Sequence, residues 1–345
     1  MDFSKKILGW YAQNKRDLPW REDKNPYHIW LSEIIMQQTR VAQGTPYFLN
    51  FKSTYPSIKD FANANQDDIL RIWQGLGYYS RGRNMHFAAN QVMNDFNGKF
   101  PNTYKELLNL KGVGEYTAAA IASIAFNESV AVVDGNVYRV LSRYFKENTP
   151  IDSTEGKKLF FNLAQELISA KSPGDHNQAI MEIGALVCTP KHPNCGVCPL
   201  VDSCVLANSI EVHDFPVKSK KIKVRNRYFS FLHIIENDKF VIQQRGAKDI
   251  WEGLYQFPIV EDVAFKDLAS QFEKLLHLKL PGKINKTGSF KHVLTHQRIF
   301  ADFYQIRNVD LNGLNSDYIV IAKEDLDKYG LPKLMVNYLE SLNKN

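Results

Sequence analysis

The sequence predicts a multi-domain protein, mostly α-helical up to about residue 206 and α+β after about residue 227. Three observations carry that expectation. Ile29 to Val41, Asp67 to Trp73 and Lys157 to Ala170 repeat apolar residues at helical spacing, with short Gly, Pro or Asn breaks between such segments. From Tyr228 the pattern changes to runs of β-branched and aromatic residues: Tyr228 to Ile235, Phe240 to Gln244 and Arg298 to Tyr304. Every cysteine of the chain lies in one short stretch near the end of the helical part. With 345 residues the chain is long enough for two domains, each with its own core.

Composition excludes several classes. Hydrophobic residues at 44% and charged residues at 23% rule out wholesale disorder. The longest small apolar stretch, Thr117 to Phe126, is about half of the roughly 20 residues a membrane helix needs, so no membrane partner is expected. Met1 to Lys6 have charges but no apolar run behind them, so no secretory signal and a cytoplasmic location are expected. Lys and Arg number 43 against 37 Asp and Glu, a net charge of +6 that suits a polyanion partner without requiring one.

The four cysteines say more. A disulfide framework would spread them along the chain to close long loops. Cys188, Cys195, Cys198 and Cys204 instead follow C-x6-C-x2-C-x5-C. Four thiolates in so short a loop can wrap one soft metal centre, a [4Fe–4S] cubane or zinc. Zinc usually takes two close cysteine pairs, and only Cys195 and Cys198 form one, which favours iron–sulfur. Past them, Phe215-Pro216-Val217 leads into Lys218, Lys220, Lys221, Lys223, Arg225 and Arg227, a basic connector. A solvated linker is the simpler reading of it and phosphate contact the other. A helix is expected further on, over Ala264 to Leu276.

In the helical part, Thr103 and Glu106 match the S/T-x-x-E capping box, so a helix begins there and runs through Leu107 and Leu108. It stops at Leu110-Lys111-Gly112-Val113-Gly114, and a second helix starts near Glu115 and continues through Thr117 to Ala125. Two glycines around one apolar residue permit a tight turn that another backbone can approach. The second helix aims its unpaired N–H groups out of that turn, a cradle for phosphate. An ordinary αα-turn could produce the same glycines. Leu110 before them and the small-residue helix after them point to a helix–hairpin–helix clamp on a DNA backbone.

Two carboxylates stand out. Glu33 lies among apolar residues on the helix expected over Ile29 to Val41, with Met36 and Gln37 as its uncharged neighbours one turn on. Desolvation there would raise its pKa and keep it protonated, although an exposed helix Glu is the simpler reading of that feature alone. Asp134 follows Val130-Ala131-Val132-Val133 and precedes Gly135-Asn136. It is placed to cap the next helix, to stand as a fixed anion at a pocket floor, or both.

Ser32-Glu33 with Gln37-Gln38-Thr39, Gly75 to Arg81, Leu110 to Thr117, Val133-Asp134-Gly135-Asn136 and the four cysteines together resemble the helix–hairpin–helix DNA glycosylase superfamily. Within it the chain is similar to the adenine DNA glycosylases, which remove adenine paired with 8-oxoguanine. The resemblance covers nearly the whole chain. It implies a six-helix barrel over 28–134 that contains the hairpin, and an N-terminal helix plus iron–sulfur domain over 1–27 and 135–206. A basic linker over 207–226 and a Nudix-like domain over 227–345 complete the expected order. The implied cofactor is a [4Fe–4S] cluster. The implied partner is duplex DNA with adenine opposite 8-oxoguanine or guanine, bound by a monomer.

The resemblance also implies roles. Glu33 would protonate adenine N7, and Asp134 would stabilise or transiently bond the sugar's anomeric carbon, with Tyr116 and Asn136 orienting the two carboxylates. Lyase-competent relatives similar to endonuclease III carry a lysine at the position of Tyr116; tyrosine cannot form a Schiff base, so a monofunctional enzyme is expected. Gln38 and Tyr78 would insert into the duplex, and Gly112, Val113 and Gly114 would hold its backbone. Arg16, Leu18, Trp20 and Arg21 would wall the adenine pocket, with Gln178 reading the base's amino edge. Apart from the resemblance, Gly75 to Tyr79 could be a packed turn with aromatic cover.

The C-terminal stretches Gln243 to Gly246 and Trp251 to Pro258 resemble a Nudix-like module. Nudix hydrolases bind Mg²⁺ through clustered carboxylates on one helix. Here the matching segment, Asp262 to Lys279, offers only scattered Asp262, Asp267 and Glu273, so phosphohydrolysis is not expected. The implied role is lesion recognition through Leu294, Thr295 and His296. The family's loop usually reads Phe-Ser-His; Thr295 keeps a hydroxyl, and Leu294 lacks the ring. The competing readings are a pyrimidine-acting glycosylase, a catalytically silent mismatch-binding protein and a Nudix-type pyrophosphatase with a helical appendage.

Overall fold

The computed structural model describes residues 3–219, 224–281 and 284–342. Lys220, Lys221 and Lys223 of the basic connector, and the first two and last three residues of the expected domains, lie outside the described residues. Backbone contacts gather the chain into two compact units, 1–63 with 84–220 and 64–83 with 221–345. The segment 64–83 thus groups with the C-terminal residues, although the sequence division placed it in 28–134.

The helices in chain order are α1 (Phe3–Asn14), α2 (Pro26–Ile35), α3 (Val41–Thr54), α4 (Ile58–Asn63), α5 (Gln66–Ile72), α6 (Ser80–Asp95), α7 (Tyr104–Leu107), α8 (Glu115–Phe126), α9 (Gly135–Phe145), α10 (Thr154–Leu167), α11 (Pro173–Leu186), α12 (Leu268–Leu276) and α13 (Lys333–Leu342). Among the described residues no helix is long and apolar enough to cross a membrane.

In the first unit, Asn25 caps α2 by accepting from the Tyr27 N–H, and Pro26 supplies a pre-set φ at the first position. Ile29, Trp30, Leu31, Ile34 and Ile35 of α2 are buried with Phe48, Phe51 and Phe61, each contributing about 1.5–3 kcal/mol of apolar burial. Facing α2, α8 buries Thr117 to Ser123, and its alanines let the two backbones come close. The expected single helix over Ile29 to Val41 is two helices. α2 ends at Ile35, Gln38 takes a left-handed φ of 55°, and α3 begins at Val41. No Gly or Pro marks the break; Met36 lies against Gly44 of α3, where a Cβ would fall 2.6 Å from its sulfur, a contact the flexible methionine end can relieve.

Locally encoded features come out close to expectation. The Thr103 side chain accepts from the Glu106 N–H, the first half of the capping box, and its hydroxyl donates to the Glu106 carboxylate at 2.9 Å. α9 packs on α11 so closely that a Cβ on Gly184 would lie 2.6 Å from the Asn136 Cβ.

The second unit is a mixed sheet in the order β3 (Tyr255–Gln256), β2 (Lys239–Gln244), β1 (Arg225–Glu236), β6 (Gln297–Arg307), β5 (Asn285–Val293). β4 (Ile259–Glu261) also pairs with β1, and β7 (Ile319–Ala322) with β2. β1 and β6 run parallel, from Arg225 beside Gln297 to Ile235 beside Arg307. Leu232 and Ile234 pack on Leu268, Phe272 and Leu276 of α12. The opposite face of β1, through Phe231 and His233, meets Phe257, Phe303 and Tyr338, with Phe303 stacked on Tyr338 of α13 at 4.0 Å. Alternating residues therefore face opposite layers, a helix on each. The expected helix from Ala264 starts instead at Leu268, after a short 3-10 turn. Tyr79 donates to the Leu331 carbonyl and Arg83 to that of Glu252, which is how 64–83 joins this unit.

Candidate active site

Glu33 and Asp134 border one cavity of about 670 Å³, together with Gln38, Gly114, Tyr116 and Tyr138. Each carboxylate has its own brace. Tyr116, in the first turn of α8, donates to Glu33 Oε2 at 2.6 Å. Asp134 caps α9, accepting from the backbone N–H groups of Asn136 and Val137 and, at 2.7 Å, from the Asn136 side chain. The two environments differ in consequence. Burial pushes Glu33 up to about 7; the Tyr116 hydrogen bond opposes this and the charge of Asp134 adds to it. Burial also raises Asp134, but the N–H donors and the positive charge of Arg139 pull it back. Tyr116 stays a neutral donor, held well above its ordinary value mainly by burial.

Met36 and Gln37 lie past the end of α2, so they are not its next turn, and Gln37 turns back to donate to Thr117 at 3.4 Å. Gln38 is exposed in its left-handed conformation at the cavity. Such backbone in a non-glycine residue is costly, and it concentrates at functional sites. In the hairpin, Gly112 has φ 78° and touches Asn84, where a Cβ would fall 2.8 Å from that side chain's Cβ. A Cβ on Gly114 would meet nothing within 4 Å, which leaves the start of α8 open to a ligand. Val113 differs from expectation: it is buried, and its N–H is committed to the Leu110 carbonyl, so it anchors the turn to the core.

The other expected pocket residues do not line this cavity among the described residues. Leu18 is buried, and Trp20 packs edge-on against Phe48. Arg16 and Arg21 are held by a residue that sequence reasoning missed, Glu182 of α11, which is 1% exposed. Its oxygens accept from Arg16 Nε and Nη2 at 2.8 Å each and from Arg21 Nη2 at 3.0 Å, which holds its carboxyl down at about 2 against the pull of burial. Gln178 is half-buried one turn before Glu182. A lone Glu on an amphipathic helix gives no local sign that it is buried.

The four cysteines are half-buried around one small cavity with Arg143, Val187, Val201 and Leu206. Arg143, almost fully buried, donates to the carbonyls of Thr189 and Pro190 and approaches Cys188 Sγ at 3.4 Å. Arg139 donates to the Cys188 carbonyl and to Asn136. Among the described residues no three His, Cys, Asp or Glu side chains meet closely enough to hold a single metal ion.

In the second unit, Leu294, Thr295 and His296 form the turn between β5 and β6, with Thr295 and His296 exposed. They border a cavity of about 580 Å³ with Tyr78, Trp251 and His292. The hydroxyls of Tyr78 and Thr295 hydrogen-bond to each other. Tyr78 is left-handed and 44% exposed, directly after Gly77, which like Gly75 is at positive φ. Glu273 of α12 accepts from the Leu280 N–H, so it serves the helix end.

Three family models match the chain: a base excision DNA repair protein of the helix–hairpin–helix superfamily over 31–168, the iron–sulfur binding domain of endonuclease III over 188–204, and a NUDIX domain over 230–341. The adenine DNA glycosylase of Mus musculus is 44% identical over 361 residues, 88% of this chain and 70% of that protein. Those of two strains of Buchnera aphidicola are 35% identical, covering 85% of this chain and 84% of theirs, and 33% identical, covering 99% and 97%. Among solved structures, a thermostable thymine-DNA glycosylase is similar at a TM-score of 0.55 and 30% identity, over 60% of this chain and 95% of that one. A trapped endonuclease III–DNA covalent intermediate, 20% identical over 59% of this chain and 93% of that one, shares the fold at a TM-score of 0.51. The class is therefore an enzyme of base-excision repair, a DNA N-glycosylase with an iron–sulfur binding domain and a Nudix-like domain. The chain belongs to the adenine DNA glycosylase family.

Proposed function

We propose that the chain is a monofunctional glycosylase that extrudes and removes adenine paired with 8-oxoguanine or guanine in duplex DNA. One observation carries the reading: a carboxyl pushed toward neutrality and a carboxylate braced as an anion border the same cavity. N-glycosidic cleavage needs both, because the leaving base must accept a proton and the sugar passes through an oxocarbenium-like state. Glu33 donates to adenine N7, and Asp134 faces the developing charge at C1′ or bonds to it briefly. Water then completes the hydrolysis. Adenine is stacked in the duplex, so it must be flipped out at a cost of a few kcal/mol. Gln38 and Tyr78, each exposed at a left-handed position, are suited to enter the stack, while Gly112 and the open start of α8 hold the backbone phosphate. Arg16, Leu18, Trp20, Arg21 and Gln178 complete the base pocket once adenine is in place.

The cysteine loop fits a [4Fe–4S] cluster. Its four thiols border one cavity, and buried Arg143 suits the cluster's negative charge. Cys188, Cys195, Cys198 and Cys204 would hold it, and its contribution there is to order the loop. The protein acts as a monomer in the cytoplasm.

Tyr116 sets the subclass. Tyr116→Lys replaces the hydroxyl that meets Glu33 at 2.6 Å with an amine, and borohydride should then trap an enzyme–DNA imine. No trapped species would mean that this position does not reach the sugar. Lesion reading rests on the Thr295 hydroxyl, which can bond the N7–H or O8 that distinguish 8-oxoguanine from guanine. Thr295→Ala should narrow the preference for adenine opposite 8-oxoguanine over adenine opposite guanine by about tenfold, one hydrogen bond's worth. An unchanged ratio would move lesion reading elsewhere.

The deciding experiment compares duplexes carrying adenine, cytosine or thymine opposite 8-oxoguanine, followed by alkali cleavage. Strand breaks only after alkali, and only with adenine, are expected. Release of thymine would support the pyrimidine-acting alternative.

A further inference from the structure

The cavity that holds Glu33 and Asp134 has an unfavourable electrostatic character for its ligand. Its lining includes a third carboxylate, Glu115, yet the nucleotide that must enter it is flanked by phosphates. Among the described residues that line it, Lys157 of α10 is the one lysine or arginine. Lys157 is also exposed, so a ligand can reach it from solvent. Its backbone is firmly placed. Ser153 caps α10 by accepting from the Gly156 N–H at 2.9 Å, and Gly156 lies so close to Pro150 that a Cβ there would fall 2.1 Å from the Pro150 carbonyl oxygen. The side chain is a flexible stem with a compact charge at its end, suited to pairing with a phosphate without fixed geometry.

We infer that Lys157 is a phosphate-binding residue, whose ammonium pairs with a phosphate beside the extruded adenine nucleotide and offsets the repulsion from Glu115 and Asp134. The inference rests on the glycosylase reading above. It separates two tasks at one cavity: the carboxylates act on the base and sugar, and Lys157 contributes to holding the strand.

The test uses the full chain with its cluster. Affinity is measured between 50 and 200 mM salt for a duplex carrying 2′-fluoro-2′-deoxyadenosine, which resists cleavage, opposite 8-oxoguanine. For Lys157→Gln, affinity at the low-salt end should fall about three- to tenfold, and the slope of log affinity against log salt should flatten by about one. Lys157→Arg should retain both. The single-turnover rate at saturating enzyme should stay within about twofold of the unmodified protein. An unchanged salt slope in Lys157→Gln would overturn the inference. So would a large rate loss with affinity intact, since that would put the amine in the chemistry. If the unmodified protein itself releases no adenine, the parent reading fails instead, and the two failures are distinct.

Discussion

Glu33→Gln should lower the rate of adenine release at saturating DNA by about 10²–10⁴-fold while leaving binding to the mispaired duplex within a few fold. Glutamine keeps the shape and can still meet the Tyr116 hydroxyl, but it has no proton to give to N7. Equal losses of binding and of rate would show that Glu33 only shapes the cavity. The unmodified protein carries a matching pH signature. A donor whose pKa stands at about 7 is available below that pH, so kcat/KM should fall about tenfold per pH unit above it. On the acid side the rate should fall as Asp134 takes up a proton, at a pH above its ordinary 3.8 because burial raises it. Stability should respond in the same region. Between 4.5 and about 7 the folded protein binds a proton at Glu33 that the unfolded chain releases, so stability falls as pH rises through that window. Glu33→Gln removes this loss, and at pH 8 the variant should be more stable by about 1–3 kcal/mol in chemical denaturation.

For Asp134→Asn, a comparable rate loss of about 10²–10³-fold is expected, with little change in folding. Asparagine caps helices about as well as aspartate, so α9 keeps its start while the charge opposite the sugar disappears. A thermal transition within about 1 kcal/mol of the unmodified protein together with the large rate loss would separate the two tasks of this residue. A variant that cleaves at nearly the normal rate would reduce Asp134 to a helix cap.

Much of this was legible in the sequence because it is local. The capping box at Thr103 and Glu106, the glycines of the hairpin, the alternation of Phe229, Phe231 and His233 with Leu232 and Ile234, and the cysteine spacing depend on neighbours within a few positions. So does the cap at Asp134, which sits directly before its helix. Helix ends were less legible where distant residues decide them. The break after Ile35 has no Gly or Pro to announce it, and the placing of 64–83 with the C-terminal unit depends on Tyr79 and Arg83 meeting residues around 331 and 252.

Charge and burial divide along the same line. The sequence alone determined which carboxylates, cysteines and hydroxyls the chain owns, and their order along it, which is enough to place it in its family. Only the tertiary structure decided which of them lost water. Glu33 is shifted because packing buries it, with the Tyr116 hydrogen bond opposing the shift and the charge of Asp134 adding to it, Glu182 is buried because two arginines from the start of the chain close over it, and Thr295 meets Tyr78 across more than two hundred residues. Desolvation and pairing of charge act through space, whereas the patterns a sequence displays report only what adjoins along the chain.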